Sequence, residues 1–512
     1  MEEKLSAAEQ LAAHIERIKR GGPPKYHEKA REQGKLHARE RLRLLFAGEP
    51  EFEDGLLAEC LNPELPADAV ITAVGRVDGR LVAAVAADST VKAGSWGAKS
   101  VEKVIRMQEL AEHMQMPLIY LIDSAGARIP DQINLFPGRR HGGHIFYNQV
   151  RLSGVVPQIT ILFGPSPAGA AYVTAFADVA IMVEHNASAY LGSPRMAEMV
   201  IGEKVTLEYM GGARMHCTVS GLGDFLAANE EEAIALARAY LAYFPQHYTQ
   251  RPPTASPVPP APGRPLAEIV PAEQNVPFDM YELIMALVDE GSFLEVKKLF
   301  APELITGLAR LDGRAIGIVA NQPKVKGGTL FSDSSDKGAR FVALCSAFNI
   351  PLLFLADVPG FMIGSQVERT GIIRHGAKFI AAVSQATCPK ISVIVRKCYG
   401  AGLYAMAGPA FGPDAVLALP TAQIAVMGPE AAVNAVYANQ IAALPEAERA
   451  AFIAQKRAEY AADIDIFRLA SELIVDAVIP FEHLRDELTR RFAAYETKVA
   501  RFSERNNPVY PV

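Results

Sequence analysis

Apolar residues follow two spacings along this chain. Short unbroken apolar runs, "PLIYLID" at 117–123, "ITILF" at 159–163 and "KISVIV" at 390–395, predict buried strands. "KSVEKVIRMQELAEHMQ" (99–115) carries its apolar residues at helical spacing, and "NEEEAIALARAYLAYF" (229–244) predicts a helix capped by Asn229. "DGRLVAAVAAD" from Asp78 predicts a hairpin-like turn into a strand. Strands alternating with helices imply an α/β fold with both sheet faces covered. Two segments stand out. "GPSPAGAAY" (164–172) and "YGAGLYAM" (399–406) are uncharged, small and placed between an apolar strand and a helix.

The pattern occurs twice. Asp78-Gly79-Arg80 matches Asp312-Gly313-Arg314, and Asp123 in "PLIYLIDSAGA" matches Asp357 in "PLLFLADVPGF", both 234 residues apart. Ala168-Gly169 pairs with Ala401-Gly402 at 233, while Asp178 pairs with Asp414 and Gly192 with Gly428 at 236. That period is too long for a solenoid and implies two copies of one domain. "RPPTASPVPPAPGRP" (251–265), with seven prolines, reads as an extended linker. The expected domains are 1–250 and 266–512.

A strand that turns tightly into a helix leaves backbone N–H groups free at the helix start, and the helix dipole favours an anion there. Small side chains let a ligand approach that backbone. Each half is therefore expected to carry one amide-lined anion site.

The chain has 512 residues, half of them hydrophobic, with 51 basic and 57 acidic side chains and a net charge of -6. That balance gives no reason to expect nucleic acid as a partner. The five Cys are scattered without metal-ligand spacing, which predicts reduced thiols, no metal and a cytoplasmic setting. No signal or transit peptide is evident in "MEEKLSAAEQ". Leu152–Ala177 holds no charge, but Pro157, Pro165 and Pro167 argue against a membrane span and for a strand, a turn and a helix.

Several ordered motifs resemble one family: "GKLHARERL" (34–42), "DSAGARI" (123–129), "GPSPAGAAYV" (164–173), "GGARMHCTVSG" (211–221), "NQPKV" (321–325), "KGARFV" (337–342), "DVPGF" (357–361), "GIIRHGAK" (371–378) and "PTAQIAVMGPEAAVN" (420–434). The chain resembles the carboxyltransferase (β) subunit of biotin-dependent acyl-CoA carboxylases over almost its whole length. The resemblance implies two tandem crotonase-like (ββα spiral) domains in a homo-hexamer. It implies an active site between the N-terminal half of one subunit and the C-terminal half of another.

The implied reaction moves a carboxyl group from carboxybiotin to an acyl-CoA thioester. It creates two oxyanions, the thioester enolate and the biotin ureido anion. The resemblance places the first oxyanion hole at Ala168 and Gly169 for the CoA thioester. It places the second at Ala401 and Gly402 for biotin. Propionyl-type members carry Gly-Gly and Gly-Ala at these pairs, so Ala170 or Gly400 is an alternative donor. Arg39, Arg41 and Lys99, with Ser124, Ala125 and Gly126, are expected on the CoA side. Gly360, Phe361, Gly371, Ile372, Gly376 and Ala377 are expected on the biotin side. Asp123 and Asp357 are expected to cap turns rather than act as bases, and His375 is expected to be structural.

No Met-Lys-Met biotinylation tract or nucleotide-binding Gly-rich loop is found, so biotin is expected on a partner, a biotin carboxylase and biotin carboxyl carrier subunit. Tyr404 stands where short-chain members carry Asp, which predicts an apolar acyl pocket and a branched or longer substrate such as 3-methylcrotonyl-CoA, else propionyl-CoA. Three alternatives are a sodium-pumping acyl-CoA decarboxylase subunit, a crotonase-type hydratase or isomerase, and a non-catalytic scaffold.

Overall fold

The computed structural model describes residues 5–501 and Val509. It divides into two compact units, Met1–Gln250 and Arg251–Val512. The first is built on a seven-stranded sheet. In spatial order its strands are Phe52–Asp54, Val70–Val77, Arg80–Ala87, Leu118–Ile122, Gln158–Leu162, Val179–Val183 and Phe225–Ala227. The first three are antiparallel and every later pairing is parallel.

The second unit repeats that order and those directions with Leu294–Val296, Leu304–Leu311, Arg314–Asn321, Leu352–Val358, Lys390–Tyr399, Ala415–Ala418 and Ala477–Val478. An eighth strand, Gln423–Ala425, pairs with Lys390–Tyr399 in the second sheet, and the shared order of the other seven is what a duplicated domain predicts. Each antiparallel hairpin closes on Asp-Gly with both residues at positive φ, 48° and 82° in one unit and 52° and 76° in the other. Two-residue turns of this type match the twist of the strands they join.

Leu118–Ile122, Gln158–Leu162 and Val179–Val183 are buried at every position, which accounts for their unbroken apolar runs. The helix Ala98–Met114 covers the first sheet with Val101, Val104, Ile105 and Ala111, and Ser332–Ala347 holds the same place in the second unit. Both helices carry a buried lysine at matching positions. Lys103 Nζ donates to the carbonyls of Ala67 and Val70, and Lys337 Nζ to those of Phe300 and Ala301. Burial lowers both amines, to about 8 and about 7.

Asn229 caps the helix Glu230–Leu241 through the Glu232 N–H. The uncharged stretch 152–177 contains the strand Gln158–Leu162, the short strand Pro165–Pro167 and the helix Gly169–Phe176. Among the described residues no helix is long and apolar enough to cross a membrane.

The proline-rich stretch 251–265 forms no helix or strand, but it is not a free spacer. Arg310 donates to Pro253 O, Ala255 N–H to Gly313 O, Glu290 N–H to Pro259 O and Arg485 to Val258 O. Those bonds fasten it to the second unit. Prolines leave carbonyls unpaired within the segment, and neighbouring donors take them.

Candidate active site

The first small-residue loop begins at Gly164, where an added Cβ would lie 1.9 Å from the Asp123 carboxylate. Pro165–Pro167 then pairs in parallel with Ser188–Tyr190. Ala168 follows at φ 51°, ψ −119° and opens the helix Gly169–Phe176. Its N–H donates to Tyr190 O at 2.8 Å, and its carbonyl accepts from Ala171 at 3.2 Å.

The second loop is built alike. Gly400 sits at φ 55°, ψ −142° before the helix Ala401–Ala405. Its N–H donates to Ala425 O at 2.9 Å, and its carbonyl accepts from Leu403 at 3.2 Å. Among the described residues, the amides of Gly169 and Ala170 and those of Ala401 and Gly402 have no acceptor.

This geometry corrects the expected register. Ala168 matches Gly400, an offset of 400 − 168 = 232 rather than the 233 read from the sequence. Both are the turn residue whose own N–H is taken. The Ala168 N–H is therefore already taken, whereas that of Ala170 is without an acceptor among the described residues.

The first loop opens on a cleft of about 1450 Å³ within the first unit. Ser124, Ala125, Ala168 and Tyr190 lie on its wall beside Arg17, Arg20, Lys25, Lys29, Arg31 and Lys35. Ser124 Oγ donates to Gly94 O at 2.7 Å and accepts from Gly126 N–H at 3.0 Å, and Ala125 N–H donates to Ala93 O at 2.9 Å. These bonds stitch the 93–96 loop to the 124–126 loop next to Ala168.

None of the three basic residues expected on the CoA side lines this cleft. Lys99 is exposed at the start of its helix and is not on the cleft wall. Arg39 makes a two-point ion pair with Glu53. Arg41 is buried: its guanidinium donates to both oxygens of Glu230 at 2.6 and 2.7 Å and to Asp123 at 3.1 Å, and it stacks on Phe163. No face of it is open to a phosphate. Most cations on the cleft come from the helices Ala7–Arg20 and Pro24–Glu32, with Lys35 and Lys92 outside them, and the excess of ten basic over four acidic residues in 16–43 was their signal.

Asp123 and Asp357 are ion-pair anchors rather than turn caps. Asp123 is held by Lys35 at 3.0 Å and by Arg41. Burial alone would push its carboxyl up, but the two cations outweigh burial and hold it below the usual range. Asp357 meets Arg396 at 2.7 Å and Lys397 at 3.2 Å, and Arg396 also donates to the Glu273 and Val276 carbonyls.

In the second unit, Gly402 lies against Gly360, where an added Cβ would be 3.1 Å from the Gly360 Cα. The unpartnered amide pair thus adjoins the "DVPGF" loop. Gly360 has φ 126°, and Phe361 packs on Gly376, whose Cβ position is 3.0 Å from the ring. Gly371 precedes the helix Ile372–Gln385 at φ 83°; Ile372 is buried in it and Ala377 is exposed. His375 Nδ1 lies 2.8 Å from Asp336. Tyr404 is half-exposed on Ala401–Ala405, its ring 5.0 Å from that of Phe411.

Two adjacent free amides on a small-residue turn suit the oxygen of an enolate. Having that arrangement twice suits a reaction that passes charge between two oxyanions. The carboxyl transferase domain family matches residues 29–510. The chain is 67% identical over 498 residues to an uncharacterized carboxylase of Bacillus subtilis, covering 97% of this chain and 98% of that one. It is 41% identical over 438 residues to the methylmalonyl-CoA decarboxylase subunit alpha of Veillonella parvula, covering 84% and 86%. Among solved structures it matches the hexameric transcarboxylase 12S core with methylmalonyl-coenzyme A bound, with a TM-score of 0.94, 38% identity and full coverage of both chains. The chain belongs to the carboxyl transferase family and is a carboxyltransferase of the biotin-dependent acyl-CoA carboxylase type.

Proposed function

We propose that this chain carboxylates a branched or longer acyl-CoA, 3-methylcrotonyl-CoA before propionyl-CoA, using biotin carried on a separate biotin carboxylase and carrier subunit. The observation that supports this reading is the pair of turns that each leave two neighbouring amides without an acceptor. Biotin, when presented by its carrier, supplies the carboxyl group and the base that takes the acyl α-proton. Gly169 and Ala170 hold the thioester oxygen as it becomes an enolate. Ala401 and Gly402 hold the ureido oxygen. The basic wall of the first cleft, Arg17 to Lys35, attracts the CoA phosphates. Tyr404 and Phe411 give the acyl group an aromatic wall in place of a carboxylate.

The protein acts as a homo-hexamer, a reading supported by its likeness to the transcarboxylase 12S core, which assembles as a hexamer, and its five unpaired cysteines support a cytoplasmic setting. The test is the purified chain with ATP and bicarbonate, with and without its biotinylated partner, across acetyl-, propionyl-, 3-methylcrotonyl- and geranyl-CoA. Turnover should require the partner and peak at 3-methylcrotonyl-CoA. ATP-dependent carboxylation by the chain alone overturns the reading, and a peak at acetyl- or propionyl-CoA overturns its choice of acyl group. The likeness to a methylmalonyl-CoA decarboxylase subunit favours a second reading, net decarboxylation. In that case streptavidin capture from the host would bring down a membrane protein rather than a biotin carboxylase.

A further inference from the structure

The two anion turns hang from their sheets differently. In the second unit the strand Lys390–Tyr399 runs without a break into Gly400 and pairs there with Gln423–Ala425. In the first unit the sheet strand stops at Leu162, and a separate tripeptide, Pro165–Pro167, carries the turn. Two of its three residues are prolines and bring no N–H to their ladder. At the two ends of that ladder Ser188 N–H donates to Gly164 O at 3.2 Å and Ala168 N–H to Tyr190 O at 2.8 Å. The position of the turn therefore depends on what holds Ser188–Tyr190.

The segment 211–221, "GGARMHCTVSG", holds it from the far side. Gly212 bridges Ser188 in an antiparallel contact, and Ala213 N–H donates to Ala187 O at 3.1 Å. Gly211 packs so closely that a Cβ there would lie 2.5 Å from Ala189 O. His216 then reaches in from a π-helical turn, His216–Ser220, a form of helix that recurs at functional sites. Its Nε2–H donates to Ala189 O at 2.7 Å, and its Nδ1 lies 2.7 Å from Ser220 Oγ. A carbonyl can only accept, so the tautomer is fixed and Nδ1 is left to accept the Ser220 hydroxyl. In the second unit Asp465 bridges Gln423 as Gly212 bridges Ser188, and its side chain caps the next helix.

We infer that His216 is a positioning residue for the first anion site, holding Ser188–Tyr190 and, through the Tyr190 carbonyl, the turn whose next two amides face the ligand. The inference rests on the reading of that turn as the acyl-CoA oxyanion hole. The test compares His216→Ala and His216→Gln with wild type in the assembled holoenzyme with its biotinylated partner. Hydrogen exchange of the peptide 164–172 is followed together with kcat and KM for the acyl-CoA.

The Ala variant should exchange about tenfold faster at that peptide and lose about tenfold in kcat, with KM within about twofold, the scale of one lost hydrogen bond. The Gln variant keeps a donor near the Nε2 position and should recover both. Unchanged exchange in the Ala variant overturns the inference. So does unchanged kcat per active site alongside a lower melting temperature, which marks a merely structural role. A wild-type holoenzyme that transfers no carboxyl group refutes the functional reading instead, and exchange alone then decides whether His216 braces the turn.

Discussion

Ala401→Pro is the cleanest test of the oxyanion assignment. Ala401 is the first residue of its helix, and its N–H has no acceptor within the described chain. Proline is tolerated at that position because its missing N–H belongs to the unbonded first turn and its φ is already helical. The preceding residue is Gly400, whose freedom at φ 55° accommodates the ring. The substitution thus deletes one donor and no internal hydrogen bond. Loss of one donor from an oxyanion hole costs about 3–4 kcal/mol of barrier, so kcat should fall by roughly two to three decades.

The neighbouring Gly402 amide remains, so activity should not vanish. The assay is kcat with the biotinylated partner under saturating acyl-CoA, alongside a thermal melt. KM for acyl-CoA should hold, because the deleted donor belongs to the second site. A folded variant with kcat within about threefold of wild type would refute the assignment, since even a weak hydrogen bond to the reacting oxygen is worth more than that.

Other perturbations separate structure from chemistry. Ala168→Gly relieves a non-glycine residue at φ 51°, ψ −119° and should raise stability by about 1 kcal/mol in a melt without lowering kcat, because the Ala168 amide is bound to Tyr190. Arg41→Met leaves Asp123 and Glu230 buried without their shared cation and should cost about 3–5 kcal/mol in denaturant unfolding. A direct phosphate role would instead raise KM for CoA and leave stability alone. Burial holds His216 below its ordinary value, against the Nε2–H bond to Ala189 that favours the charged ring. As pH falls below about 6.5 the unfolded chain therefore takes the proton first, and stability should drop. His216→Gln should flatten that component of a pH 8 to pH 5 melting series, and an unaltered profile would exclude His216 as its source.

The fold was legible because its signals are local or periodic. Asp78-Gly79 and Asp312-Gly313 carry the turn chemistry in two adjacent residues, and the buried parallel strands show as unbroken apolar runs. The error at Arg41 was avoidable. Ala38, Arg41, Leu42 and Leu45 lie at i, i+3, i+4 and i+7 of the helix Ala38–Phe46, so the arginine stands on the buried stripe and not on a basic face. Its partner Glu230 is 189 residues away, and no local pattern announces that distance. The fastening of the 251–265 stretch was hidden for the same reason, since its donors come from Arg310 and Arg485.

The register of the two amide pairs was hidden more deeply, and the reason bears on how the site evolved. In "SPAGAAY" and "YGAGLYAM" the Ala-Gly steps align by eye, and alignment by residue type gives the offset 233. What selects the donors is a bond from outside the loop: Tyr190 O takes the Ala168 amide and Ala425 O takes that of Gly400. Both acceptors arrive on a short strand more than twenty residues downstream. The pair with unpartnered amides is therefore whatever follows the bonded residue, Gly-Ala in the first unit and Ala-Gly in the second. An amide carries the same chemistry in either order, so the proposed oxyanion holes require the backbone turn and small side chains rather than one residue type. Only the turn residue itself is held by its positive φ, which glycine meets in the second unit and a strained alanine meets in the first.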